Sequence, residues 1–350
     1  MGGFSRFQYR KAKRGILGVL SIIFITCACS HSRRDHFYLE ANKQLKEKNY
    51  DQAIQYYNEA LKIDPLFADA WNNRGIALYQ DRQYAEAVES YNRAISSDYK
   101  DPHLYLNRSN ALYQLRNFKG SLADLRLAER WLPDSSIIPF MKGTIYFHLF
   151  DYDSARDEFI KYLVKDSSNM EAFVNAAAAC YYLNDLDGAY RYVRKALDRD
   201  PGDPDAENVN ALVWLGKREP SLALAWVNRA LSSRPGDAYF LNNRGAIYLE
   251  LDSLDLADHD ISASLRMDPS NGWAYRNKGV YYLKKNRLND ALLALQQAIR
   301  LDGNINEVYY NLGRVYELLG RKEDACASYE SSMTRGEATG KNAYQRLCGK

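Results

Sequence analysis

Residues Tyr84–Ala94 read YAEAVESYNRA. Tyr84, Ala87, Tyr91 and Ala94 stand three, four and three residues apart, which is one stripe of a helix. The stripe returns along nearly the whole chain. Its first small residue is in turn Ala53, Ala87, Ser121, Ala155, Ala189, Ala223, Ala257, Ala291 and Ala325, and every step is 34 residues.

Upstream of the stretch, Trp71, Gly75 and Leu78 form a second stripe, and Asp81-Arg82 mark a turn. Two helices fit, about Ala70–Gln80 and about Tyr84–Ser96. Small residues recur where the two must cross. On the first helix they are Ala41, Gly75, Ser109, Gly143, Ala177, Ala211, Gly245, Gly279 and Gly313. A glycine inside a helix costs roughly 1 kcal/mol against alanine. Five of them at one phase predict a contact too close for a larger side chain. Late in the second helix Ala60, Ala94, Ala128, Ala196, Ala230 and Ala298 do the same, with Tyr162, Ser264 and Ser332 as departures. Pro65, Pro133, Pro201, Pro235 and Pro269 follow and stop the helix.

A 34-residue period with this pattern resembles the tetratricopeptide repeat (TPR). The resemblance runs without insertion through nine repeats: 34–67, 68–101, 102–135, 136–169, 170–203, 204–237, 238–271, 272–305 and 306–339. It implies an all-α fold, a right-handed solenoid of stacked antiparallel helix pairs whose first helices line a concave face. It also implies a binding scaffold. Residues 337–347 are expected to form a capping helix that lays Ala338, Tyr344 and Leu347 over the last repeat.

Two ordinary domains would fit 350 residues, but the unbroken period and the lack of any Pro-, Gly- or Ser-rich linker favour one solenoid. The 28 tyrosines against 12 phenylalanines suit half-buried positions on thin layers. Repeat four departs from the pattern at Pro139, Met141 and Tyr162, which predicts a bend or a widened groove. Repeat six departs at Asp200–Asp205 and at Pro220, with Trp214 and Trp226 able to fill the space, which predicts a joint at 200–220.

The formal charge is +3, but Arg6, Arg10, Lys11, Lys13 and Arg14 precede every acidic residue. Without the first 28 residues the balance is 42 basic against 44 acidic, so there is no basic stripe for nucleic acid. Behind that basic segment, Gly15–Ala28 (GILGVLSIIFITCA) is uncharged and too short for an ordinary membrane span, which reads as a secretory signal over residues 1–28. Ala28-Cys29 at its end resembles a bacterial lipoprotein signal. That resemblance implies cleavage before Cys29, lipid on Cys29 and a short tether at 29–33. Cys27 is a competing acceptor, and an uncleaved N-terminal helix or a soluble secreted form are the alternatives. The periplasmic face of the outer membrane is the favoured location.

No catalytic or metal constellation emerges. The histidines His31, His36, His103, His148 and His259 pair with no ligand set, and Asp258-His259-Asp260 reads as a solvated face. Neither a metal nor a cofactor is expected, nor an enzyme. Cys180 reads as a core thiol, and Cys326 and Cys348 can pair if the last helix folds back.

What remains is a row of asparagines, Asn73, Asn107, Asn175, Asn243, Asn277 and Asn311, two residues before the small first-helix position. Asparagine is a poor helix former, so the row needs a reason. In peptide-binding members of the TPR family this position grips a peptide backbone from the groove; alternatively, the amides bridge neighbouring helices. Arg74, Arg108, Arg244 and Lys278 follow the row and are expected to make part of the groove basic. The resulting expectation is a noncatalytic, membrane-anchored scaffold that binds protein or peptide partners in the envelope, for assembly, secretion or protease recruitment. The alternative is a structural subunit of a larger envelope complex, held by its convex face or edges.

Overall fold

In a computed structural model, described over residues 32–97 and 101–349, the chain is a succession of helix pairs, with no strand among the described residues. The first helices of the repeats are α1 (32–46), α3 (Ala68–Gln80), α5 (Pro102–Gln114), α7 (Ile137–His148), α9 (Met170–Tyr182), α11 (Pro204–Gly216), α13 (Ala238–Glu250), α15 (Gly272–Lys284) and α17 (Val308–Leu318). The second helices are α2 (Tyr50–Ile63), α4 (Tyr84–Ser96), α6 (Phe118–Trp131), α8 (Tyr152–Lys165), α10 (Leu186–Leu197), α12 (Pro220–Ser233), α14 (Leu254–Met267), α16 (Leu288–Leu301) and α18 (Lys322–Thr334). A last helix, α19 (Ala338–Leu347), follows.

Each first helix stops in the same way. Lys48, Arg82, Arg116, Phe150, Asn184, Arg218, Asp252, Asn286 and Gly320 all have positive φ, at 34-residue steps. The amide after each reaches back to a carbonyl five residues earlier, as Gln83 N–H does to Leu78 O at 2.8 Å and Ser253 N–H to Tyr248 O at 2.9 Å. This is a left-handed C-cap, and it turns the chain into the second helix. Only Gly320 is free of the Cβ penalty, roughly 1–2 kcal/mol for an L-residue in this conformation. Asn184, Asn286 and Asp252 tolerate this region better than most residues, so tertiary packing overrides local preference at the other five, Lys48, Arg82, Arg116, Phe150 and Arg218. Some of the starts are fixed by side-chain caps, among them Asp151 on Ser154 N–H, Asp185 on Gly188 N–H and Asp203 on Ala206 N–H, whereas others, such as those of α2, α4 and α16, have none.

The crossing of each pair sets the core. On the second helix Tyr57, Tyr91, Leu125, Phe159, Val193, Val227, Ile261, Leu295 and Tyr329 are buried at one phase of the repeat. They meet the small first-helix residues predicted to pack closely. A Cβ on Gly75 would stand 2.6 Å from Tyr91 Cε1, one on Gly245 would stand 2.6 Å from Ile261 Cγ1, and one on Gly313 would stand 2.5 Å from Tyr329 Cε1. The two positions compensate in volume only in part: glycine faces Tyr, Ile or Leu, and alanine at 177 and 211 stands at the phase of Val193 and Val227, but Ala41 shares its core with Tyr57. Burying a side chain of this size contributes roughly 1.5–3 kcal/mol per repeat.

First helices also touch the next first helix, in α3–α5, α9–α11, α11–α13, α13–α15 and α15–α17. Among the described residues, α10, α12, α14 and α16 make no such contact with one another. Within each body, first helices therefore form the inner side of the stack.

The chain forms two compact bodies, one ending at Ile145 and one beginning at Tyr146, so the boundary falls inside α7, in repeat four. The joint predicted at 200–220 is not where the chain divides. Asp203 caps α11, proline occupies the first turn of α11 and of α12, and Trp214 and Trp226 pack against the core shared by α11, α12 and α13.

The C-terminal helix folds back with Tyr344 and Leu347 packed on the last repeat as predicted, but Ala338 is exposed and Ala343 is buried instead. Cys326 and Cys348 form a disulfide, Arg346 makes a two-pronged contact with Glu317 at 2.8 Å, and Ala343 is buried with Tyr329.

Candidate functional site

The NNRG stretches at 72–75 and 242–245 show what each residue of the row does. Asn73 Nδ2 donates to Asn42 Oδ1 at 3.0 Å and to the Tyr38 hydroxyl at 3.1 Å, both on the preceding first helix. Asn107 donates to Asn72 Oδ1 at 3.2 Å, Asn243 to Asn208 Oδ1 at 3.0 Å, and Asn277 to Asn242 Oδ1 at 2.8 Å. Four of the six, Asn73, Asn107, Asn243 and Asn277, thus bind a residue 35 positions back on the previous first helix, whereas Phe140 stands at that place before Asn175 and offers no side-chain acceptor. Where Arg276 replaces the accepting asparagine, Asn311 donates instead to the Glu307 carbonyl at 2.8 Å, and Arg276 donates to Asn277 Oδ1 at 2.7 Å.

Burial grades the row. Asn277 and Asn311 are buried, at 2% and 4% exposure, whereas Asn73, Asn107, Asn175 and Asn243 are half-buried. In the first repeat the same phase holds Leu39, 65% exposed. This phase faces the preceding repeat, and α1 has no described repeat before it.

The basic residues expected in the groove turn instead onto the second helices. Arg108 clasps Asp124 through Nε and Nη2 at 2.7 and 2.6 Å, and its Nη1 donates to Asn92 Oδ1 at 2.8 Å. Arg244 clasps Asp260 in the same way, and its Nη1 donates to Asn228 Oδ1 at 3.0 Å. Arg74 donates to Asn58 Oδ1 and Ser90 Oγ. Lys278 donates to Ser262 Oγ at 2.8 Å and to Asp258. Each side chain pins its own first helix to the preceding second helix, and the arginines also pin it to their own. Hydrogen bonds to Asp124 and Asp260 raise the pKa of Arg108 and Arg244, while burial lowers that of Arg74, whose partners are neutral. A carboxylate meets the charge of Arg108, Arg244 and Lys278, whereas neutral groups hold Arg74.

Two sequence readings change here. Asp260 is not part of a solvated face: it is 1% exposed beneath Arg244. The accepting residues Asn42, Asn72, Asn208 and Asn242 escaped notice, as did Asp124. The 16-residue spacing shared by Arg108–Asp124 and Arg244–Asp260 carried the signal. Cys180 is a buried free thiol, pushed up to about 11 by burial. Among the described residues no group of three His, Cys, Asp or Glu could hold a metal ion. Cys29 and Cys27 lie outside the described residues.

Tetratricopeptide repeat models match residues 38–102, 174–238 and 307–335, and a TPR repeat model matches 279–320, together just over half of the chain. The chain belongs to the tetratricopeptide repeat family. No curated protein matches this TPR chain in sequence. Solved TPR-like structures resemble it at low identity. Pseudomonas aeruginosa pilF is 18% identical, over 64% of this chain and 98% of its own, with a TM-score of 0.51. A chain of the APC/C hetero-tetramer Cut9–Hcn1 is 15% identical, over 90% of this chain and 76% of its own, at 0.55. The human IFIT1 dimer with m7Gppp-AAAA gives 15%, 79%, 70% and 0.55 for the same measures. These likenesses concern the fold. TPR repeats are protein-interaction scaffolds and generally bind protein partners, and no catalytic family is indicated.

Proposed function

We propose that this TPR protein is a noncatalytic, membrane-anchored scaffold of the bacterial envelope that holds an extended segment of a protein partner against its first helices. The observation that carries the reading is the half-buried part of the asparagine row. An amide has two N–H donors and an acceptor oxygen. Asn107 and Asn243 each spend one donor on the neighbouring helix and remain half-exposed, which leaves polar capacity on the inner face. Asn107 in the first body, and Asn175 with Asn243 in the second, are the residues we assign to ligand contact; Asn73, with both donors and its oxygen engaged, serves the stack. Asn277 and Asn311 serve the stack. Replacing Asn175 and Asn243 together with alanine should weaken capture of the purified partner about tenfold, two bonds at about 0.5–1.5 kcal/mol each. Unchanged affinity would count against the assignment.

Three features support the envelope and the anchor: the basic segment before Arg14, the apolar run Gly15–Ala28, and Ala28-Cys29. The Cys326–Cys348 disulfide suits an oxidising compartment such as the periplasm. No described helix is long and apolar enough to cross a membrane. In this reading Cys29 carries the lipid, and Cys29→Ser releases the protein from membranes. An intact mass that still includes residues 1–28 would contradict it.

A second reading, a structural subunit held by its outer helices, is favoured by one observation. Val164, Leu222, Leu256 and Leu293, all on second helices, are exposed. A permanent partner over those helices would bury them.

A further inference from the structure

In a repeat stack each unit normally contacts only its neighbours. In the second body a ring contact among the described residues skips two repeats. The rings of Tyr182, at the end of α9, and Trp273, at the start of α15, lie 5.7 Å apart between centroids. Tyr182 is also stacked on Tyr152 at 4.6 Å and 13°, and meets Phe147 edge-on at 5.7 Å. Other groups of repeats eight and nine come close to the same end of α9. Arg276 and Glu307, themselves ion-paired at 2.8 Å, act electrostatically on the Tyr181 phenol, and Asp302 acts on that of Tyr152.

Both α9 and α15 are first helices, with α11 and α13 between them in the stack. First helices form the inner side, so an approach between repeats five and eight crosses that side. It spans the face on which Asn243 lies. We infer that the Tyr182–Trp273 contact is an aromatic latch across the concave face of repeats five to eight, which must part before an extended segment can lie along α11 and α13. The inference rests on the groove reading proposed above. One ring-to-ring contact is weak beside the packed helix pairs that flank it. The latch opens by a small rotation between successive repeats, with no helix unfolding.

The test needs no partner, so failed partner capture would count against the groove reading and leave the latch standing. The full chain is labelled with 5-fluorotryptophan, and the Trp273 resonance is assigned through Trp273→Phe. Tyr182→Ala should move that resonance to a solvent-exposed position and leave those of Trp71, Trp131, Trp214 and Trp226 in place. Tyr182→Phe should behave as the parent. In an Asn243→Cys background, labelling by a polyethylene-glycol maleimide should be at least about tenfold faster in Tyr182→Ala, since a minor open state is rarely above a tenth of the population. Buried Cys180 serves as the internal control. A Trp273 resonance unmoved by Tyr182→Ala, or equal labelling rates, would overturn the latch.

Discussion

Tyr91 Cε1 lies 2.6 Å from where a Cβ on Gly75 would stand. That single approach explains why a residue unfavourable in helices sits mid-helix in α3. It also gives a prediction of sign. By helix propensity alone, Gly75→Ala would stabilise by about 1 kcal/mol. Overpacking against the buried ring should reverse this and cost roughly 1–3 kcal/mol. Adding Tyr91→Val should recover much of the loss by removing the ring atoms that a Cβ at 75 would meet. Denaturant melts of the two single variants and the double variant read the coupling. A stabilised Gly75→Ala would show that the crossing is not tight.

Asn277 should matter more to stability than Asn175. Asn277→Ala strands Asn242 Oδ1, on a residue only 4% exposed, and should cost roughly 1–3 kcal/mol. Asn175 is half-buried, and Asn175→Ala should fall within about 0.5 kcal/mol of the parent. Equal effects in thermal melts would deny the inter-helix role of the row.

The docking of α19 should weaken in acid. The Arg346 guanidinium, with the Tyr329 hydroxyl, holds the Glu317 pKa below its ordinary value near 4.5, partly opposed by burial. A lowered carboxylate pKa contributes stability that is full above the ordinary value and is lost as pH falls through the lowered one. Amide exchange in α19 should therefore rise below about pH 4.5, and Glu317→Gln should flatten that dependence. The Cys326–Cys348 bond keeps the helix tethered meanwhile. Reducing it should cost about 3 kcal/mol of cap stability for a 22-residue separation. A pH-independent α19 in the parent would contradict the ion pair's role.

Much of the fold is legible in the sequence because a 34-residue period repeats one packing problem nine times. Gly75, Gly245 and Gly313 announce a close crossing, and the prolines after α2, α6 and α14 announce the stops. The positive-φ residues are harder to read, because Arg82, Arg116 or Phe150 carries no local sign of a left-handed turn. The row of asparagines is visible as a pattern, but its partners are not. Asn107 and Asn72 are 35 residues apart, a spacing that means contact only once first helices are known to stack on first helices. The arginines mislead for a related reason. A positive charge beside the row looks like part of a groove, until Asp124 and Asp260 prove to be buried beneath the second helices' own surface.

The central claim is that the first helices, and not the second, hold the partner. Hydrogen–deuterium exchange of the full chain, with and without its purified partner, tests it most directly. The account predicts added protection along α9, α11 and α13, centred on Asn175 and Asn243, with α10, α12 and α14 unchanged. Protection confined to the second helices, around Leu222 and Leu256, would contradict it.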